Sequence, residues 1–348
     1  MKLEAEEFLK LVNTYPLVDV RSPKEFTQGH IPGAKSLPLF ENEERAEVGT
    51  LYKQSGRYAS ILHGLDIVGP KMSSFLKKGV AWAREGHILV HCWRGGMRSE
   101  SMAWLFERGG LQADILIGGY KAYRRYIRQA WSNEQPLVIL GGMTGSGKTE
   151  ILHELKKSGE QMLDLEGTAH HKGSAFGAIG QEPQPTNEQF ENNLAWLWQH
   201  MDTNEPVWLE DESRAIGGVS IPGPLYARMQ KGPVIDVHIP RQERIKRLVR
   251  EYAGFDKEQL ELAIHRISKR LGGQNEKAAV QALNENDFET VADITLWYYD
   301  KAYHNDLQKR ENQKVFTLNL SADEPAANAV EVQRFYREEV LKKEKLWT

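Results

Sequence analysis

The sequence predicts an α/β architecture of two successive domains, each built on a parallel sheet, with the second closing in a helical region. Three observations carry this. Short apolar runs alternate with helix-forming stretches through the first 130 residues. A polar piece, Ser132-Asn133-Glu134-Gln135, then precedes Pro136 and a fresh apolar run, and beyond it the alternation starts again. The expected division is 1–130, a linker at 131–135, and 136–348.

Taken in order, PLVDV sets Leu17, Val18 and Val20 around Asp19 as a strand, and a turn follows at Ser22-Pro23. His87–His91 and Ala113–Ile117 are the next strands, each running into a glycine-containing loop. Between them, 99–107 reads as a helix offering Met102, Ala103, Leu105 and Phe106 for packing, and a further helix ends near Arg128. The second domain opens with a strand at 137–141, a helix from Lys148 to about Lys157 and a strand-like Gln161–Leu165. Val207–Leu209 and Val234–His238 follow as strands. From Arg241 the pattern is mostly helical, with Ile245, Leu248, Val249 and Tyr252 in helical phase, and a strand-like Val315–Leu318 precedes a charged C-terminal helix.

With 348 residues, 40 % hydrophobic and 27 % charged, the chain can bury the cores of two ordinary domains. The N-terminus lacks a basic segment followed by an apolar stretch and a small-residue cleavage site, so no export is expected. No segment approaches the roughly 18 consecutive apolar residues of a membrane span, so no bilayer contact is expected either. A single cysteine excludes an internal disulfide and a Cys-rich metal site, and fits a reducing, cytoplasmic setting. The formal net charge of −3 gives no overall attraction to nucleic acid, so any RNA surface must be local. Candidate basic stretches are 121–128, 241–250 and Lys269-Arg270, although such runs are commonly just solvated helix faces.

The cysteine, Cys92, directly follows a predicted strand and opens His91-Cys92-Trp93-Arg94-Gly95-Gly96-Met97-Arg98-Ser99, which runs into a helix. A strand-to-helix loop with two glycines can curl so that successive N–H groups face one point, and the helix N-terminus adds positive potential. Such a cradle, built from Trp93, Arg94, Gly95, Gly96, Met97 and Arg98, binds an oxyanion. Its field, with the Arg94 and Arg98 charges, favours the nucleophilic thiolate of Cys92. A buried filler cysteine needs neither the arginines nor the paired glycines. The spacing Cys-x5-Arg, with His before and Ser after, also matches the signature of cysteine-dependent phosphatases.

Gly142-Met143-Thr144-Gly145-Ser146-Gly147-Lys148-Thr149 is a complete G-x-x-x-x-G-K-[ST] phosphate loop between a predicted strand and a predicted helix. Gly142, Thr144, Gly145, Ser146 and Gly147 bring the backbone close to phosphate oxygens, Lys148 supplies a point charge, and the Thr149 hydroxyl is placed to ligate Mg2+. Val207 to Glu212 resembles the second phosphate-site strand, with Glu210 or Asp211 as candidates for a magnesium-bound water. No N-K-x-D-type base reader is visible, so a di- or triphosphate is expected without its identity. His170-His171 reads as polar loop, and no protein-held metal site is expected. Trp196 and Trp198 read as core, and Gly272-Gly273 as a turn.

Asp19 to Ala34, DVRSPKEFTQGHIPGA, resembles the N-terminal signature of the rhodanese superfamily, and Ile117-Gly118-Gly119-Tyr120 looks like its C-terminal segment. Ordinary sulfurtransferases of that superfamily carry an active loop one residue shorter. The wider loop suits a tetrahedral, phosphate-like donor such as selenophosphate or thiophosphate. In order, this signature, HCWRGGMRS, GMTGSGKT and EDESRAIG are similar to the bacterial tRNA 2-selenouridine synthase family over nearly the whole chain. The resemblance implies a rhodanese-like domain followed by a P-loop NTPase-like domain.

It further implies a transferase that replaces sulfur by selenium in the wobble 2-thiouridine of tRNAs for lysine, glutamate and glutamine. Selenophosphate is the implied donor, with an S-geranylated intermediate made from geranyl diphosphate. Cys92 would then carry selenium as an S-selanylcysteine, and the phosphate loop would grip the diphosphate of the prenyl donor. Arg124, Arg125, Arg128, Arg241, Arg244 and Arg247 become candidate tRNA contacts. Trp196, Trp198 and Tyr226 are candidate walls for the ten-carbon chain, though packing in the core is the simpler role. A monomer is the working expectation. Two alternatives stay open: a Cys-x5-Arg phosphatase fused to a kinase-like domain, and a non-catalytic phosphate-binding scaffold. The first needs an aspartic general acid that the sequence does not reveal, and the second needs no thiol.

Overall fold

The computed structural model describes residues 1–131, 135–310 and 314–344; most of the expected linker lies outside them. The chain divides into two compact units, Met1–Trp131 and Ser132–Thr348.

The first unit holds five parallel strands: β1 (Lys2–Leu3), β2 (Leu17–Asp19), β3 (Lys35–Ser36), β4 (His87–His91) and β5 (Gln112–Leu116). Their order is β1-β5-β4-β2-β3, so β4 is central, and every one of its residues is buried. A continuous apolar run of this kind suits a strand covered on both faces. Ile88 and Val90 pack with Val18, Val20, Met102, Phe106 and Ile115 into one core. β5 ends one residue before the predicted limit because Gly118, at φ 69°, turns the chain into the helix Gly119–Ala130. The helix Met97–Arg108 begins two residues earlier than expected.

The sequence reading did not anticipate the helices Asn42–Val68 and Met72–Trp82 between β3 and β4. The first is bent at Gly56 (φ 83°, ψ −178°) and buries only Ser60 and Gly64. Gly64 packs on the Phe40 ring, and Val48, Ile67 and Val68 lie half-buried against the core, so the helix has no fully buried apolar stripe.

In the second unit, β6 (Leu137–Gly142) lies at the centre of a parallel sheet with β7 (Gln161–Met162), β8 (Val207–Glu210), β11 (Val234–His238) and β12 (Val315–Asn319). The order is β12-β11-β6-β8-β7. β9 (Ala215–Ile216) and β10 (Val219–Ser220) make a small antiparallel ribbon. The expected strand 161–165 stops at Met162, because the Asp164 carboxylate accepts from the Gly167 amide at 2.7 Å and caps a short helix, Leu165–Ala169. Helix Lys148–Lys157 packs Ile151, Leu152 and Leu155 against the sheet, together with Val237, Phe316 and Val332.

The helices Lys257–Leu271, Gly273–Asn284 and Phe288–Leu307 build a separate apolar cluster around Ile264, Leu283 and Phe176. Helix Arg241–Tyr252 joins this layer to the phosphate-loop end of the sheet. No described helix is long and apolar enough to cross a membrane.

Candidate functional sites

The loop 92–96 links β4 to helix Met97–Arg108. Its shape is set by contact between two stretches of backbone. The Tyr120 amide donates to the Cys92 carbonyl at 2.8 Å and the Lys121 amide to that of Trp93 at 3.1 Å, so the helix beginning at Gly119 holds the loop from behind. Gly95 (φ 66°) and Gly119 (φ 58°) make that approach possible. A Cβ on Gly95 would stand 2.5 Å from the Leu116 carbonyl oxygen, and one on Gly119 would stand 2.3 Å from that of Cys92.

Cys92 is buried, with Sγ 3.2 Å from the Ser99 hydroxyl, which itself donates to the Gly96 carbonyl at 3.0 Å. Trp93, Arg94 and Met97 are exposed around it. Arg98 is fixed by Glu25 at 2.8 Å. Burial raises Glu25, but the Arg98 hydrogen bond and charge outweigh it and hold this carboxyl below its ordinary value. Glu25 also accepts from the Ser22 amide at 3.0 Å and caps helix Pro23–Gln28.

Beneath the loop, Arg21 and Asp19 form a fully buried ion pair at 2.6 Å. The Arg21 guanidinium lies over the Tyr120 ring at 3.8 Å and donates to the Gly29 carbonyl at 2.7 Å. His91, 3.6 Å from Asp19, is held by burial below the ordinary histidine value and is neutral at pH 7. The segment DVRSPKEF thus supports the cysteine loop from below and holds the arginine at its rim.

The loop Gly142–Thr149 joins β6 to helix Lys148–Lys157 and forms one end of a cleft of about 460 Å³. Lys148 Nζ rests on the Gly142 carbonyl at 2.9 Å, and the Thr149 hydroxyl donates to Glu166 at 2.9 Å. The same lining includes the hydrocarbon of Phe176, Leu248, Tyr252, Leu260, Phe288 and Val291, with the Lys172–Glu251 ion pair beside it. Phe176 and Tyr252 meet edge to face at 5.9 Å. The phosphate loop and a group of apolar side chains therefore line one cleft.

Two family models match: one described as the tRNA 2-selenouridine synthase AAA domain over residues 135–324, and the Rhodanese-like domain over 4–126. Among proteins named tRNA 2-selenouridine synthase, that of Bordetella petrii is 34 % identical over 360 residues, covering 91 % of this chain and 93 % of its own. That of Shewanella piezotolerans is 37 % identical over 355 residues, covering 90 % and 95 %. The protein from Shewanella sediminis is 35 % identical over 344 residues, covering 88 % and 91 %. The chain belongs to the tRNA 2-selenouridine synthase family.

In this family member the structure redistributes several sequence-based assignments. Glu210 is fully buried at the end of β8, accepts from the Leu165 amide at 3.1 Å, and does not line the cleft. Burial and the charges of Asp164 and Glu166 push it well above the usual carboxylate range. Asp211 reaches the cleft but is ion-paired with Arg310. Glu166, which accepts from the Thr149 hydroxyl, and Glu212 line the cleft as well, and the sequence reading missed both. Withdrawal from water and the Glu166 charge push Glu212 well above its ordinary value.

Two of the three candidate contacts in the run from Arg241 are turned inward. Arg241, Arg244 and Arg247 are spaced three apart on one helix, and that spacing puts them on neighbouring positions of a single face. Arg244 and Arg247 are buried: Arg244 bonds Asp300 at 2.8 Å and the Thr144 carbonyl at 3.0 Å, and Arg247 is ion-paired with Glu150 at 2.7 Å. Both brace the phosphate loop. Arg241 is engaged with Asp293 and Asp300. Arg124 is buried too, whereas Arg125 and Arg128 are exposed.

Trp196, Trp198 and Tyr226 do not line the cleft. Trp198 is buried under Arg228, and Trp196 packs on His200. His170 Nδ1 meets the Pro183 carbonyl at 2.9 Å, and among the described residues no group of three or more His, Cys, Asp or Glu side chains is arranged to hold a metal ion.

Proposed function

We propose that the chain converts wobble 2-thiouridine of tRNA to 2-selenouridine in the cytoplasm by two successive transfers, one at each site. In the first, the thiocarbonyl sulfur attacks C1 of geranyl diphosphate. The C–O bond breaks with its electron pair on diphosphate, and the base loses its N3 proton. In the second, selenium from selenophosphate replaces the alkylated sulfur at C2, which leaves as geranylthiol. Alkylation makes the sulfur a competent leaving group. Membership of a family whose relatives carry the synthase name supports the overall conversion. Cys92 is the proposed nucleophile, with Arg98 and the loop amides holding the donor's phosphoryl oxygens.

The observation that carries the geranyl assignment is the cleft itself, which is lined both by Lys148 and the phosphate loop and by Phe176, Tyr252 and Phe288. A diphosphate joined to a hydrocarbon chain matches both kinds of lining. The Thr149 hydroxyl with the Glu166 and Glu212 carboxylates is a donor set of the kind Mg2+ takes. An ion here would be held mainly by diphosphate oxygens and water, as Mg2+ is at other phosphate sites. tRNA contacts are assigned to Arg125 and Arg128, which are exposed on helix Gly119–Ala130.

Binding of geranyl diphosphate to a Lys148→Ala variant tests the cleft assignment. Loss of a charge-assisted contact lowers affinity by about ten- to a hundredfold, and unchanged affinity removes the assignment.

A further inference from the structure

We propose that the bend in helix Asn42–Val68 is a docking site for single-stranded RNA, where Tyr52 and Tyr58 stack on unpaired bases and Lys53 and Arg57 meet the phosphates between them. The proposal rests on the reading that the substrate is tRNA, and it assigns this contact to the unpaired loop that carries the wobble base.

A helix laid on a protein core buries one face along its length. Residues 52–58 are instead seven consecutive exposed positions, so the bend stands off the body of the first unit. Gly56 makes the bend at φ 83° and ψ −178°, a backbone conformation that residues with a Cβ resist. A Cβ there would meet nothing within 4 Å, so the glycine serves the bend and not close packing.

The side chains on the bend have no role in the core. Tyr52 is 57 % exposed and Tyr58 75 %, and rings left in water add little to stability, since burial is what stabilises them. Lys53 and Arg57 are exposed as well, and among the described residues neither is ion-paired. No Asp or Glu occurs from Val48 to Leu65, so both charges are uncompensated locally. The acids of this helix lie outside that stretch, Glu43, Glu44 and Glu47 in the first two turns and Asp66 near the end. Of these, Glu44 is held by Lys71 at 2.5 Å. Unpaired cations attract a polyanion, and aromatic faces between them stack on bases, the combination that binds single strands. A duplex hides its base faces and offers such a surface only its phosphates.

The root of the helix is tied to the rim of the cysteine loop. The Lys24 amide donates to Asn42 Oδ1 at 2.9 Å, and the next residue, Glu25, holds Arg98 at 2.8 Å. Ten residues of helix, at a rise of about 1.5 Å each, place Tyr52 roughly 15 Å along the axis from Asn42. One RNA loop can therefore reach both the cysteine loop and the bend.

The test measures affinity of the full chain for an anticodon stem-loop carrying wobble 2-thiouridine, and for a fully paired RNA duplex of the same length, across a range of salt. Tyr52→Ala combined with Tyr58→Ala should weaken the stem-loop about five- to a hundredfold per ring, leave the duplex unaffected, and keep the unfolding temperature. Tyr52→Phe combined with Tyr58→Phe keeps both ring faces and should retain affinity. Lys53→Gln combined with Arg57→Gln should lower the slope of log affinity against log salt by about 1.4, the share of two phosphate contacts on a single strand. Unchanged stem-loop affinity in the alanine variant, an equal loss on stem-loop and duplex, or a changed oligomeric state with RNA binding intact overturns the proposal. If the unaltered chain binds neither the stem-loop nor whole tRNA, the functional reading beneath the proposal falls instead.

Discussion

The cysteine loop and the phosphate loop are built on one plan and finished differently. Each follows the central strand of a parallel sheet, β4 or β6, carries glycines, and runs into the N-terminus of a helix. The cysteine loop is closed by backbone meeting backbone, Gly95 and Gly119 against neighbouring carbonyls, and its nucleophile is buried. The phosphate loop is braced by side chains, Arg244 on the Thr144 carbonyl and Arg247 beside Gly147, and opens onto the cleft. A covalent step on a small anion needs a tight, invariant shell around one atom. Holding a long amphiphile needs charge at one end and apolar surface at the other. The difference in finish matches the two tasks proposed for the loops.

Gly119→Ala attacks the contrast where it is sharpest. A Cβ there combines a positive φ with a 2.3 Å approach to the Cys92 carbonyl, and together these cost about 2–4 kcal/mol. Denaturation should show the first unit destabilised and selenium transfer lost, while geranyl diphosphate binding persists. Equal loss at both sites would mean the loops are not independently built. A smaller effect is expected from Tyr252→Ala. Removing one apolar wall costs roughly 1.5–3 kcal/mol of burial, so calorimetry should find geranyl diphosphate weakened about ten- to a hundredfold and inorganic diphosphate unaffected. If both ligands weaken alike, the apolar lining does not house the chain.

The smallest effect is a pH dependence. Glu212 is raised above its ordinary value, so it is neutral at low pH and gains its charge as pH rises through the raised value. Metal-free diphosphate affinity should therefore fall severalfold as pH rises across that range, on the order of the energy of one screened like-charge contact. In Glu212→Gln that slope should be flattened; an unchanged slope assigns the titration elsewhere.

Much of this was legible before any coordinates. The apolar runs 87–91, 137–141 and 234–238 are strands because they are long enough to read and buried on both faces. The two loop motifs were equally plain, since their glycines and charges are local in sequence. What escaped is non-local or carries no periodic signal. Helix Asn42–Val68 buries small residues and no stripe. Arg244 and Arg247 look solvated in sequence, because their partners Asp300 and Glu150 lie far along the chain. Glu25 was visible only as part of a signature; its contact with Arg98 depends on β2 lying beside β4. The apolar wall of the cleft is assembled from the 172–181 segment and three helices, so aromatic residues close in sequence to one another, such as Trp196 and Trp198, were the wrong guide.

The division of labour between the loops is tested most directly by nucleoside analysis of tRNA treated with a Cys92→Ser variant, geranyl diphosphate and selenophosphate. The account predicts that S-geranyl-2-thiouridine accumulates and 2-selenouridine is absent. Formation of 2-selenouridine by that variant, or loss of the geranylated nucleoside along with it, would contradict the account.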